Sequence, residues 1–205
     1  MRPFRRLALL IAMLVLTACG EAYKVRPMRP EESAALSDAV TPLASHLGYL
    51  RGPQRCTFGV SLNDVPSRRL EVLPPRVAQE CLGVSVTSGT LALPREELRA
   101  LLAHGIAHLS LGHQSAMRVG AEGTRARARG FEQGRTYSTN EEREADREAA
   151  KLLTAAVPGR AACLALGQVL SRAETEAGRW SEWTEQHPLP RGRAAAAREL
   201  CVVRR

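Results

Sequence analysis

Two histidines one helical turn apart are the first residues in the sequence whose spacing could do chemistry. His104 and His108 stand in the segment AHGIAHL, within a stretch whose apolar residues recur at helical spacing. Residues at i and i+4 share one face of a helix, so the two imidazoles can bind one Zn²⁺ ion. Two neutral imidazoles alone make a weak site, so the pair predicts a further ligand elsewhere in the chain.

A pair of carboxylates further along the chain can supply that ligand. Glu142 and Asp146 are also four residues apart, so they share a face of a second predicted helix. Glu142 could bind the metal, while Asp146 could accept the free ring N–H of a ligand histidine and orient it. Three protein ligands would leave the fourth tetrahedral position to water or substrate, as catalytic zinc requires.

The order of these motifs resembles that of the HtpX-like zinc peptidases, peptidase family M forty-eight. The segment VSVTSGTLALPREELRALLAHGIAHLSLGH resembles the family's strand–turn–helix segment, including the paired histidines. The segment from Asn140 to Arg147 resembles the second motif, in which a glutamate four residues before an aspartate is the third zinc ligand. His187-Pro188 with Arg193 resembles the His-Pro…Arg element near the end of the domain.

This resemblance implies a zincin-like metallopeptidase domain, an α+β fold that is mainly helical with a small β-sheet. It implies that His104, His108 and Glu142 are zinc ligands, with Asp146 as their outer partner and Zn²⁺ as the cofactor. His187 precedes a proline in a turn-like stretch, from which it could swing in as an extra ligand and plug the site.

One position departs from the family's HExxH pattern, because Gly105 stands where the general-base glutamate is expected. In that pattern the glutamate takes a proton from the zinc-bound water and passes it to the leaving amine. A general base contributes a factor of roughly 10²–10⁴ in rate, so its loss predicts impaired proteolysis. Gly105→Glu is accordingly expected to recover some activity.

Other carboxylates are poor substitutes for the missing base. Glu96 and Glu97 lie two turns away along the helix, about 11–14 Å by helical rise. Glu144 is turned off the predicted metal-binding face. Nothing in the pattern supports Glu122 or Glu132 in this role.

The two remaining histidines carry no predicted function. His113 is five residues past His108 and therefore on a different face, which indicates a capping or partly buried side chain. His46 belongs to no pattern.

The N-terminus is typical of an exported bacterial lipoprotein. Residues 1–18 join an arginine-rich start to the apolar run LALLIAMLVL, which suits a signal peptide and is too short to span a bilayer comfortably. The sequence LTAC resembles a lipobox, which implies cleavage before Cys19 and acylation of its thiol. The alternative is an ordinary signal peptide with a chance cysteine.

Lipidation would divide the mature chain into two parts. Residues 19–34 are then the lipidated cysteine and a polar, proline-containing tether, and residues 35–205 are the metallopeptidase-like domain. A lipid anchor would hold the protein to a membrane of the bacterial cell envelope, facing the periplasm or the exterior.

Export also places the other cysteines in an oxidising compartment. These are Cys56, Cys81, Cys163 and Cys201, an even number without CxxC spacing. They favour two disulfides over a zinc-binding cysteine set, and three pairings are possible.

Charge and composition restrict the partners. The chain has a formal charge of +8, and without the three signal-peptide arginines 26 basic against 21 acidic residues leave +5. Only 4% of residues are aromatic, which leaves little for base stacking, so no nucleic acid partner is expected. The positive charge suits anionic lipid headgroups or an acidic partner.

Hydrophobic periodicity predicts helix, small sheet and further helices, in that order. The elements expected are a helix over 35–50, strands over 56–62 and 82–88, a helix from Pro94 through Leu109, and helices over 141–156, 160–178 and 190–201. Pro66, Pro74 and Pro75 predict turns between the strands. Residues 118–139, rich in Gly and Arg, predict a mobile surface loop, and Asn140 is the expected N-cap of the helix that follows.

Three functions remain open on the sequence. The first is a zinc-binding but proteolytically impaired lipoprotein that grips unfolded or extended polypeptide, or an envelope protein partner, as a chaperone or scaffold in envelope quality control. The second is an active zinc endopeptidase with a substitute base. The third is a metal-free structural or interaction lipoprotein.

Overall fold

The computed structural model describes residues 26–47, 57–75, 80–113 and 136–202. The predicted signal peptide, Cys19, Cys56 and residues 118–135 of the Gly/Arg-rich region lie outside them. The elements are α1 (Pro30–His46), β1 (Thr57–Asn63), β2 (Leu70–Leu73), β3 (Glu80–Thr87), α2 (Ser88–Leu91), α3 (Arg95–Ser110), α4 (Thr139–Ala156), α5 (Ala161–Thr175), α6 (Ala177–Gln186) and α7 (Arg193–Leu200).

The fold of the described residues is α+β and mainly helical, with a small sheet, as predicted. The three strands lie in the order β1-β3-β2, with β1 parallel and β2 antiparallel to the central β3. Helix α3 is the centre of the packing, since it contacts α1, α4, α5 and β2. Its buried apolar side chains include Leu98, Leu101, Leu102 and Ile106. The helix that carries the histidine pair is therefore anchored in the hydrophobic core.

Several element boundaries differ from those predicted. Helix α1 begins at Pro30 rather than at residue 35, because Pro30 occupies its first turn and the Glu32 carboxylate accepts the Arg29 backbone N–H at 2.8 Å. Residues 30–34, assigned to the tether, are therefore helical. The predicted helix over 160–178 is two helices, α5 and α6, which separate at Glu176.

Two local predictions were wrong. Strand β2 was not expected, because its four residues stand between proline-rich turns and are too few to show a period. Asn140 does not cap α4. Ser138 does so, in a capping box in which its hydroxyl accepts from the Glu141 N–H at 3.3 Å and Glu141 accepts from the Ser138 N–H at 2.8 Å.

No helix in the described ranges is long and apolar enough to cross a membrane.

One disulfide is resolved among the pairings the sequence left open. Cys163 at the start of α5 is bonded to Cys201 just after α7, across 38 residues of chain, and Cys81 is also disulfide-bonded. The Cys163–Cys201 bond therefore ties helix α5 to the end of helix α7.

Removing this disulfide should destabilise the protein. A loop of this length predicts that Cys163→Ala/Cys201→Ala lowers the free energy of unfolding by about 2–5 kcal/mol, because the unfolded chain regains the entropy that the cross-link removed. Urea unfolding of the double variant and the wild type measures the difference. The double variant is preferable to a reductant, which would also open the bond at Cys81. Equal midpoints would contradict the prediction.

Candidate metal centre

Helix α3 presents both histidines to the interior of the protein. The side chains of His104 and His108 are 2% and 1% exposed, and their ring centroids lie 4.6 Å apart. The Nε2 atoms of the two rings are 3.1 Å apart. The predicted one-turn spacing therefore brings two metal-binding nitrogens together inside the fold.

Helix α4 packs against α3 and brings the two carboxylates to the histidines. Glu142 is fully buried, and its Oε1 lies 3.4 Å from His108 Nε2. Asp146 Oδ1 lies 3.1 Å from His104 Nδ1, the nitrogen on the far side of that ring. The structure thus places Glu142 with the two histidines and Asp146 behind the ring of His104.

His187 enters the same cluster from the end of α6. Its Nδ1 lies 3.3 Å from His104 Nε2 and 2.9 Å from Glu142 Oε1. The backbone N–H of His187 donates to the Trp183 carbonyl, and the two rings stack with centroids 4.5 Å apart. On the other side of the cluster, Tyr137 stacks on His108 with centroids 3.8 Å apart. Two aromatic rings thus fix two of the histidines.

Four ligand atoms converge at this point, and they suit a metal ion. The nitrogens of His104, His108 and His187 and a carboxylate oxygen of Glu142 all lie within 4.8 Å of one another, and all four residues are buried. A tetrahedral site with metal–nitrogen distances of about 2.0–2.1 Å has ligands about 3.3–3.4 Å apart. Four of the separations here are 2.9, 3.1, 3.3 and 3.4 Å. The donor set can therefore hold one metal ion with little movement.

Three of the four residues of the cluster have protonation states that suit a cation, and His104 is the exception. Burial lowers the pKa of His108 to about 3 and that of His187 to about 4, so both rings are neutral at pH 7. Burial alone would raise the pKa of Glu142, but the three histidines outweigh it and hold that pKa well below its usual range. Burial likewise opposes a charge on His104, yet hydrogen bonds with Asp146 and Glu142 leave its pKa raised. Neutral imidazoles and an ionised carboxylate are the forms that bind metal.

Arg193 holds the two carboxylates in place. Its Nε and Nη2 each donate to Asp146 at 2.8 Å, and Nη2 also pairs with Glu142 Oε2 at 2.5 Å. With Oε2 held by the guanidinium, Oε1 is the oxygen that faces His108 and His187. The cluster is thus supported on its outer side by an ion pair whose members are all buried.

The space beside Gly105 is filled by strand β2. A Cβ atom at position 105 would lie 2.6 Å from Val72 Cγ2 and 3.1 Å from Val72 Cβ, closer than side chains pack. Val72 is fully buried. A glutamate at this position would therefore collide with the strand. The expectation that Gly105→Glu alone recovers activity did not take this collision into account.

The carboxylates considered as substitute bases have other partners. Glu96 accepts from Arg99 at 2.7 Å, and Glu97 makes two hydrogen bonds of 2.9 Å with Arg172. Glu144 lies 3.4 Å from His113. Glu122 and Glu132 lie outside the described residues.

Sequence reasoning assigned no role to several residues that contact the cluster. Tyr137 falls in the predicted surface loop but is buried, and Trp183 lies in α6, beyond the end of the helix predicted over 160–178. Trp183 is four residues before His187, a spacing that could have indicated the stacking. His113, expected on a different face, contacts His108, with their Nδ1 atoms 3.0 Å apart. His46 is exposed at the end of α1.

No family model and no curated protein sequence matches the chain.

Proposed function

We propose that this protein is a zinc-binding, proteolytically silent relative of the HtpX-like peptidases, in which the metal secures the fold. The buried cluster of four converging ligand atoms carries the proposal. Imidazole nitrogens with one carboxylate oxygen are ligands that zinc accepts, and the spacing suits a tetrahedron. A fourth protein ligand is typical of structural zinc sites, whereas catalytic sites keep one position for water or substrate.

Two further observations support loss of proteolysis over an active enzyme. Gly105 offers no carboxylate, and Val72 occupies the space into which one would project. Glu96, Glu97 and Glu144 are engaged with other side chains. When zinc is bound, His104, His108, His187 and Glu142 would hold it, and it would contribute Lewis acidity that no carboxylate base among the described residues is placed to use.

The residues around the site hold its ligands in place. Asp146 and Arg193 orient the ligands from one side, and Tyr137 and Trp183 pack against them from the others. Removing such supporting residues typically lowers the affinity for the metal. We extend the proposal to a lipid-anchored protein of the bacterial envelope that binds extended polypeptide or an envelope protein, on the strength of the N-terminal sequence and the family resemblance.

Metal content and protease activity together test this function. The mature protein, purified without chelator, is expected to contain one zinc per chain by elemental analysis and to leave unfolded casein intact. His104→Ala and Glu142→Ala should lose the zinc, whereas His46→Ala, at an exposed histidine far along the chain from the cluster, should keep it. Absence of zinc from the wild type would support a metal-free interaction protein. Rapid, chelator-sensitive cleavage of casein would support the active endopeptidase.

A further inference from the structure

The end of helix α3 folds back so that a third histidine of this segment reaches a metal-binding ring. The helix ends at Ser110, Leu111 is its C-cap, and Gly112 takes a left-handed conformation with φ 72°. The His113 N–H then donates to the His108 carbonyl at 3.0 Å, and the Gly112 N–H donates to Leu109 at 3.1 Å. This pair of bonds is a Schellman motif, which reverses the chain direction at the helix end.

The reversal places one imidazole directly behind another. The Nδ1 atoms of His108 and His113 are 3.0 Å apart, and the ring centroids are 5.1 Å apart at an interplanar angle of 65°. His113 Nε2 lies 3.4 Å from Glu144 Oε2 on helix α4. The side chain of His113 is 9% exposed and that of Glu144 is 50% exposed, so this row of groups runs from the buried cluster to the surface.

Metal binding at the cluster, together with these contacts, would fix which nitrogen of each ring carries the proton. His108 Nε2 faces the cluster and must offer a lone pair to bind a metal, so the proton of the neutral ring is on Nδ1. That N–H can donate only if His113 Nδ1 is unprotonated, which places the His113 proton on Nε2, toward the Glu144 carboxylate. Each ring in the row therefore carries its proton on the side of the next group outward.

We propose that His113 is a positioning residue that accepts the Nδ1–H of His108 and orients that ring toward the metal, with Glu144 orienting His113 in turn. The inference rests on the proposed function. It gives the two histidines of α3 separate outer partners, the Asp146 carboxylate for His104 and the His113 imidazole for His108. Acceptors of this kind fix the tautomer and raise the basicity of a metal-binding imidazole, and their loss typically weakens metal affinity about 10–100-fold.

Two substitutions at position 113 separate this role from simple packing. His113→Leu keeps an apolar side chain of comparable size but cannot accept a hydrogen bond. His113→Asn is smaller, yet its Oδ1 stands close to the place of the imidazole Nδ1 and can accept the proton of His108. We expect zinc affinity, measured by competition with a chromophoric chelator, to fall about 10–100-fold in His113→Leu and to stay within about threefold of wild type in His113→Asn. His46→Leu is the matched control at an exposed histidine and should bind as the wild type does.

A second readout reports the tautomer directly. Long-range ¹H–¹⁵N spectra of the zinc-free protein, in which no metal fixes the tautomer, should show His108 protonated at Nδ1 in the wild type and in His113→Asn, with loss of this single signature in His113→Leu. Zinc bound equally well by His113→Leu and by wild type would overturn the inference and leave the proposed function standing. Equal weakening in the leucine and asparagine variants would also overturn it, because packing would then explain both. A wild-type protein that takes up no zinc would overturn both proposals.

Discussion

Removal of the metal is expected to lower the free energy of unfolding by about 4 kcal/mol. This figure compares the metal-free protein with the protein in free zinc at about 1,000 times the dissociation constant. The reason is geometric. The four ligands come from helix α3, helix α4 and the end of α6, so they converge only when the helices are packed. Unfolded chain cannot reproduce that arrangement, and an ion that binds only the native state stabilises it by mass action.

Urea unfolding followed by circular dichroism, with buffered zinc or with excess EDTA, measures this difference. His187→Ala should reduce the stabilisation by zinc, because it removes the fourth protein ligand. A structural zinc site has four protein ligands, whereas a catalytic site has three and a water or substrate. His46→Ala should retain it in full, because that side chain is exposed and outside the cluster. Identical unfolding curves with and without zinc in the wild type would show that the metal does not contribute to folding.

Most of the site that could be predicted from the sequence depends on helical periodicity, and the exception is His187, whose place before Pro188 suggested an extra ligand. His104 with His108, and Glu142 with Asp146, are i, i+4 pairs, and such pairs share a face in any α-helix. The packing of α3 on α4 then brings the two faces together. The apolar periodicity of α3 was also strong, because the helix is buried by the sheet and three other helices.

What could not be predicted depends on how the chain turns between helices. His113 was placed on another face because the helical period was extended past Gly112, although a glycine just after a helix is a signal for a left-handed cap. Val72 lies on a strand of four residues, too short for alternation to be visible. Its position over Gly105 is a long-range contact, which sequence spacing does not encode.

That contact makes two positions thermodynamically coupled. Gly105→Glu alone is expected to destabilise the protein by about 1–3 kcal/mol, because the new Cβ must displace a buried valine in a packed strand. Val72→Ala removes the Cγ2 atom that would lie 2.6 Å away and should relieve most of this cost. A double-mutant cycle on urea unfolding should therefore give a favourable coupling of about 0.5–3 kcal/mol between the two substitutions.

A matched valine tests whether the coupling is specific. Val86 is a buried valine in the neighbouring strand β3, paired with Leu70 rather than facing position 105. Val86→Ala should cost stability on its own but leave the penalty of Gly105→Glu unchanged. Equal coupling at Val72 and Val86 would mean that general loosening of the core, and not a local collision, accommodates the glutamate.

Recovery of proteolysis requires three changes together, since the chain departs from a catalytic site in three ways. Gly105→Glu supplies a base, Val72→Ala gives it room, and His187→Ala frees a coordination position for water. The triple variant is expected to cleave fluorescent casein about 10²–10⁴-fold faster than the same variant with Gln at position 105, which keeps the size of glutamate without its basicity. Cleavage should stop when EDTA is added. Equal rates for the Glu and Gln versions would show that a carboxylate at position 105 does not act as a base. Residues other than these three would then account for the loss of catalysis.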